Sequence, residues 1–137
     1  MKIYLAASYS DQERMRKLRD EINDMGHEVV STWIDNDGPG MDADQINQMK
    51  NAARSHAHTD MADIRRCDLF VVFTNAPSTT GGMHVEFGYA LGLQNHTSPR
   101  HPISLAVVGP FSNIFHAAVP LAKFDQPFEL LDWLSHQ

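Results

Sequence analysis

The sequence predicts one α/β domain, with a mostly parallel five-stranded sheet covered by helices on both faces. Three observations lead there. Short apolar runs alternate with stretches of helical periodicity along the whole chain. The most apolar run, "CDLFVVFT" at residues 67 to 74, shows no polar face, as a central parallel strand should. The 137 residues make one domain of ordinary size, without repeat, low-complexity segment or internal linker. Residues 1 to 137 therefore read as a single flavodoxin-like or Rossmann-like unit.

Taken in order, "KIYLA" at 2 to 6 reads as a buried first strand. "ASYSD" is a loop, with Ser10 or Asp11 as candidate N-cap. Met15, Leu18, Ile22 and Met25 recur at spacings of three and four, the stripe of a helix that Gly26 ends. "HEVVSTW" at 27 to 33 is the second strand, and "IDNDGPGMDAD" a loop. A second helical region runs from about 42 to 65, with an expected break near residues 56 to 58. After the central strand a third helix ends near Asn95. "ISLAVVG" is the fourth strand, "PFSNIFH" a loop or single helical turn, "LAKF" a short fifth strand and "PFELLDWLSHQ" a closing helix.

Composition excludes several classes. Hydrophobic residues make up 42% and charged residues 20%, the balance of a globular chain. The net charge of -6 argues against a nucleic-acid polymer, which asks for a basic surface. A single nucleotide stays open, because backbone N–H groups at a helix start can hold one phosphate. Cys67 is the only cysteine, so no intramolecular disulfide or cysteine-based zinc site is expected, and a reducing, cytoplasmic setting fits. The N-terminal apolar run is too short for a signal peptide, and no segment approaches a membrane span. Eight histidines raise the question of a metal, but "HAH" at 56 to 58 does not share a helix face and no Glu or Cys completes it. No metal and no cofactor is expected.

In parallel sheets of this kind the ligand sits beyond the carboxyl ends of the strands, at a switch in strand order. That brings "AASYSD", "TNAPSTTGG" and "VGPFSNIF" together, with residues 35 to 42 nearby. The segment "STTGGMHVEFGYALG" runs from one of these loops into the third helix. At about 100° per residue, Glu86 falls on a continuous arc with Met83, Phe87, Tyr89, Ala90, Leu91 and Leu93. A carboxylate on a core-facing stripe costs several kcal/mol unless something holds it. It is either an ordinary buried Glu satisfied by a Tyr or Arg, or a catalytic group at the mouth of a site. One turn from the helix start, the dipole favours its ionised form. An ionised carboxylate there can attack a sugar's anomeric carbon, or stabilise an oxocarbenium-like transition state.

"KIYLAASYS", "TDMADIRRCDLFVVF", "GGMHVEFGYALG" and "VVGPFSNIFH" resemble the nucleoside 2-deoxyribosyltransferase family and its deoxynucleoside 5′-monophosphate N-hydrolase relatives. The resemblance runs from the first strand to about His116. It implies cleavage or exchange of the N-glycosidic bond of a 2′-deoxynucleoside or its 5′-monophosphate. It further implies that Glu86 is the nucleophile, that Tyr4 holds it by a hydrogen bond, and that Asp60 helps position the sugar. A free nucleobase is released or exchanged, and a homodimer or larger assembly is implied. One departure stands out. Deoxyribosyltransferases carry a second Asp shortly before the nucleophile, whereas this chain has Ser78, Thr79, Thr80, Gly81 and Gly82 there. In the hydrolase relatives such residues hold a 5′-phosphate, and hydroxyls plus backbone N–H groups suit that work. Ser, Thr and Gly also serve simply as cap and turn residues.

Other residues carry two readings each. Ser8 and Tyr9 on the first loop, and Trp33, are candidates to contact the substrate; the aromatic rings suit a nucleobase, though Trp33 also suits closing the core. Asn113 is a candidate contact for base or phosphate, and His84 lines the pocket or faces solvent. His116 is placed at a pocket edge, between subunits or on a surface loop. Asp63 is expected to face solvent or pair with Arg66, and Asp68 to cap a turn. "GPG" at 38 to 40 reads as a flap rather than a phosphate loop. Two rival classes remain: a non-catalytic nucleotide-binding module and a flavin-binding redox domain.

Overall fold

The computed structural model describes residues 1–36, 40–76, 81–96, 102–118 and 122–137. Five strands, β1 (Lys2–Ala6), β2 (Glu28–Val29), β3 (Leu69–Phe73), β4 (Ser104–Val108) and β5 (Lys123–Phe124), form one sheet in the order β2-β1-β3-β4-β5. Every pairing is parallel, with Tyr4 opposite Phe70 and Val71 opposite Ala106. The helices are α1 (Gln12–Asp24), α2 (Ala43–Gln48), α3 (Lys50–Arg65), α4 (Gly82–His96) and α5 (Pro127–Ser135). The chain steps out from β1 to β2, then returns to the other side of β1 as β3. The switch point therefore lies between the carboxyl ends of β1 and β3.

All five residues of β3 are buried, which is why no polar alternation marks that run. Tyr4 on β1 stacks on Phe70 with ring centroids 5.4 Å apart, and Phe70 meets Phe87 of α4 edge-on at 6.2 Å. Burying a ring such as Phe87 stabilises by roughly 1.5–3 kcal/mol, and this wedge seats the first turns of α4 on the sheet. Met15, Leu18 and Ile22 of α1 are buried as their spacing predicts, while Met25 is 40% exposed at the cap. Gly26 follows at φ +90°, the left-handed position a helix end favours.

Two expected elements differ. The second strand is two residues long rather than seven, because side chains compete with the ladder. Leu5 N–H donates to Ser31 Oγ at 2.6 Å, and the Trp33 indole N–H donates to Leu5 O at 2.8 Å. With β1 satisfied this way, residues Thr32–Asp35 coil into a 3-10 turn. The helical region of residues 42 to 65 breaks at Met49 (φ -118°, ψ 48°) and runs unbroken through His56 and His58. Asp42 and Gln45 form a capping box that starts α2, and α3 begins afresh at Lys50. The turn after β4 is the single 3-10 turn Ile114–Ala118.

Candidate active site

A cleft of about 750 Å³ opens at the switch point. One wall is the loop after β1, with Ser8, Tyr9 and Ser10; the opposite wall is Gly82, Met83 and Glu86 from the first turns of α4. Asp60 of α3 and Trp33 also line it. Local bonding explains why these groups stay put. Tyr9 Oη donates to Asn36 O at 3.0 Å, and Gln12 Nε2 donates to Asn36 O at 2.7 Å and Trp33 O at 3.1 Å. These bonds tie the 3-10 turn after β2 to the start of α1. Tyr9 and Trp33 lie 6.0 Å apart, tilted by 42°. Gly40 closes against the Tyr9 ring so tightly that a Cβ there would lie 2.8 Å from it.

At the centre, Tyr4 Oη donates a short hydrogen bond to Glu86 Oε2. Tyr4 is fully buried, and burial, reinforced by the Glu86 charge, holds its hydroxyl well above the usual tyrosine range. It therefore stays a donor. Glu86 is half-buried, and its carboxyl is pushed up to about 8. Burial is the main cause; Asp60 adds to it and the Tyr4 hydrogen bond opposes it. Asp60 is pushed up to about 7, again by burial first and then by Asp63. The expectation that the helix start would keep Glu86 ionised is therefore corrected: desolvation outweighs the dipole, and Glu86 holds its proton near neutral pH.

The sequence model of the family described as nucleoside 2-deoxyribosyltransferase matches residues 3–99. The chain belongs to the nucleoside 2-deoxyribosyltransferase family. It is accordingly an enzyme of the N-glycosidic bond, which it cleaves or transfers on small nucleoside or nucleotide substrates. Its fold is similar to that of Clostridium botulinum CMP N-glycosidase, BcmB: TM-score 0.56 and 22% identity, covering 100% of both chains. It is also similar to the 2-deoxyribosyltransferase of Bacillus psychrosaccharolyticus: TM-score 0.61 and 18% identity, covering 96% of this chain and 91% of that one. No curated protein sequence matches it significantly.

In this deoxyribosyltransferase-family cleft the other candidates separate into groups. Ser8, Tyr9, Trp33, Asp60, Gly82 and Glu86 share the cavity. Trp33 borders the cavity and, 7% exposed and tied to β1, also closes one end of the core. Gly81 adopts φ +74° just before α4, while Ser78, Thr79 and Thr80 lie outside the described residues, as does most of the flap at 38 to 40. His84 and Asn113 are brought to each other rather than into the cleft lining: Asn113 Nδ2 lies 3.4 Å from His84 Nδ1 and 3.3 Å from His116 Nε2. His116 is fully buried, not on a surface loop, and its Nδ1 accepts from Ser112 N–H at 3.1 Å. Burial, then the neighbouring His84, lowers its pKa. Asp63 pairs with Arg66 at 2.9 Å as expected but is buried, where it also accepts from Thr32 N–H at 3.0 Å and Thr32 Oγ1 at 2.7 Å. Asp68 accepts from Lys2 N–H at 2.6 Å at the mouth of β3. Among the described residues no group of three or more His, Cys, Asp or Glu is placed to hold a metal, and no helix is long and apolar enough to cross a membrane.

Sequence reasoning missed Gln12, Glu13 and Arg16 of α1, which line the cleft, and placed the loop holding Met41 and Asp42 nearby without naming either residue. The signal was present for α1: residues 12, 13 and 16 share one helix face. That face, opposite the Met15, Leu18 and Ile22 stripe, reads as an ordinary solvated surface until the fold turns it toward the site.

Proposed function

We propose that this enzyme breaks the N-glycosidic bond of a 2′-deoxynucleoside or its 5′-monophosphate through a covalent deoxyribosyl–Glu86 intermediate. The observation that carries the reading is Glu86 in the cleft with the Tyr4 hydroxyl bonded to Oε2. That bond aims one carboxylate oxygen and leaves the other for C1′. Ionised Glu86 forms a bond to C1′ while the C1′–N bond breaks, and the electron pair leaves with the base, which takes a proton from solvent. A second base or a water molecule then attacks C1′ and gives up a proton to solvent, while the C1′–O bond breaks and its electron pair returns to the Glu86 carboxylate. Asp60, which shares the cleft, anchors the sugar. Gly82 at the start of α4 offers its backbone N–H to a 5′-phosphate, with Ser78, Thr79 and Thr80 preceding it in the chain. The missing second Asp in that segment favours a phosphorylated substrate over a free nucleoside.

A homodimer or larger assembly belongs to this reading. Val85 on α4 is 74% exposed, and Ile114 and Phe115 of the turn after β4 are 81% and 59% exposed. Asn113, just before this turn, lies against His84 of α4, which brings the two elements that carry these apolar side chains together. A cytoplasmic location is part of the same proposal, supported by the lone, buried Cys67.

The test incubates the protein with each 2′-deoxynucleoside and each monophosphate, with and without a second free base, and separates the products by chromatography. Release or exchange is expected with at least one 2′-deoxy substrate, and slower with its ribo analogue. Neither reaction across the whole panel would overturn the proposal. Glu86→Gln is expected to lose at least about 1,000-fold in turnover while still binding ligand.

A further inference from the structure

The cleft holds one cation among its described lining residues, Arg16 of α1, against the carboxyl groups of Glu13, Asp42, Asp60 and Glu86. Among the described residues Arg16 is held at one point. Its Nε donates to Ile34 O at 2.9 Å, and Asp35 Oδ1 lies 4.0 Å away, already taken at 2.6 Å by Arg19. Neither terminal nitrogen has a hydrogen-bond partner among the described residues. The side chain is 40% exposed. A guanidinium with its stem pinned and its fork open, facing a cleft, is prepared for a planar acceptor pair.

Position within the cleft decides which part of the substrate it meets. Arg16 is bonded to the turn that follows β2, on the far side of β1 from α4. Glu86 and the α4 start lie toward β3. With C1′ at Glu86 and a phosphate at the start of α4, the base extends the other way, toward Arg16. Tyr9 and Trp33 supply ring faces at that same end. Charge points the same way. Glu13 and Asp42 line the cleft with Arg16, and Glu13 has a loose pair with Lys17 at 3.8 Å. Two carboxyl groups on the lining that Arg16 shares repel a phosphate dianion. They suit a neutral ring that presents an acceptor edge to Arg16 and amino protons to Glu13 or Asp42.

We infer that Arg16 is a base-specificity residue, and that together with Glu13 or Asp42 it selects nucleobases carrying both a carbonyl and an exocyclic amino group, namely cytosine and guanine. Adenine has no carbonyl oxygen and thymine no amino group, so each leaves part of the set unpaired. This inference rests on the functional reading above, because Glu86 sets where the base lies.

The experiment measures kcat/KM on the four deoxynucleosides and their monophosphates for wild type, Arg16→Ala and Arg16→Lys, with equilibrium dialysis of free bases alongside. Wild type is expected to favour the cytosine and guanine substrates by about 10- to 100-fold. Arg16→Ala should lower the cytosine, guanine and thymine substrates, which all present a carbonyl, by about 10- to 100-fold and so erase the preference over adenine; Arg16→Lys, with a charge but no fork, should restore little. An equal loss on all bases would mean that Arg16 only clamps the turn after β2. A loss confined to monophosphates, whatever the base, would place the phosphate there instead. Either result overturns the inference. Dialysis separates it from the parent reading: if wild type binds free cytosine or guanine and Arg16→Ala does not, Arg16 keeps its role even where no turnover is seen.

Discussion

The Tyr4 hydroxyl of β1 and the Glu86 carboxyl of α4 are hydrogen-bonded across 82 residues of chain, and Tyr4 is fully buried while Glu86 reaches the cleft. The bond pulls the Glu86 carboxyl down against the desolvation that pushes it up. Tyr4→Phe removes the donor and keeps the ring on Phe70. The pH at which Glu86 ionises is expected to rise, with kcat/KM near pH 7 falling by roughly 10- to 100-fold. The fall should shrink at higher pH. A pH–rate profile checks this, and a loss equal at every pH would contradict it.

For the wild type the sign is set by which form reacts. The nucleophile must be ionised, and Glu86 is protonated below about 8. kcat/KM is expected to climb as pH rises toward about 8, reaching a plateau above it. Because Asp60 titrates at about 7 and raises its neighbour, the observed midpoint belongs to the pair. A rate that falls from pH 6 to 8 would exclude an ionised Glu86 as the attacking group.

Asp60→Asn tests the coupling from the other side. It removes a charge that pushes Glu86 up, so the midpoint should move to lower pH, opposite to Tyr4→Phe. Loss of the sugar anchor should raise KM about 10-fold. Opposite shifts in the two variants, read from the same assay, are the outcome expected; shifts in the same direction would sink the assignment.

Burial of Glu86 also sets a stability trend. Its folded value of about 8 lies above the ordinary 4.5, so its contribution is fully present below pH 4.5 and is lost as pH rises through about 8. Glu86→Gln has no such loss. Relative to wild type the variant should gain up to about 1.4 kcal/mol per pH unit across that window. Urea midpoints at pH 5 and pH 8 measure the difference; a constant gap would show that Glu86 is not desolvated.

Two glycines separate backbone strain from crowding. Gly109, at φ +109°, would place a Cβ 2.6 Å from Asn75 Oδ1 and 2.7 Å from Thr74 Oγ1, whereas a Cβ on Gly81, at φ +74°, meets nothing within 4 Å among the described residues. Gly81→Ala is expected to cost about 1 kcal/mol, and Gly109→Ala at least about 2 kcal/mol. Thermal unfolding of both variants provides the comparison.

The apolar runs were legible because burial leaves a compositional mark: β3 has no exposed face, and the arc through Met83, Phe87 and Ala90 identified the inner side of α4. Glu86 stood out as a polar member of that arc. The break at Met49 left no mark, since neither Gly nor Pro marks it and the residues on both sides favour helix. The early end of β2 depends on Ser31 and Trp33 reaching Leu5 from another part of the chain, which no local pattern encodes. Arg16 was hidden for a similar reason: a charged residue on the polar side of an amphipathic helix looks solvated until the turn after β2 is folded against it. The protonation of Glu86 was misjudged because the dipole is visible in sequence, whereas the extent of desolvation is a property of the assembled cleft.

The indole of Trp33 is tethered through its N–H to Leu5 O while its ring borders the cavity, so it cannot swing aside when the cleft fills. The other tryptophan, Trp133, packs on Phe124 at the opposite edge of the sheet. Fluorescence from a Trp133→Phe protein thus comes from a single chromophore beside the base end, and the molecule carries its own optical gauge of occupancy.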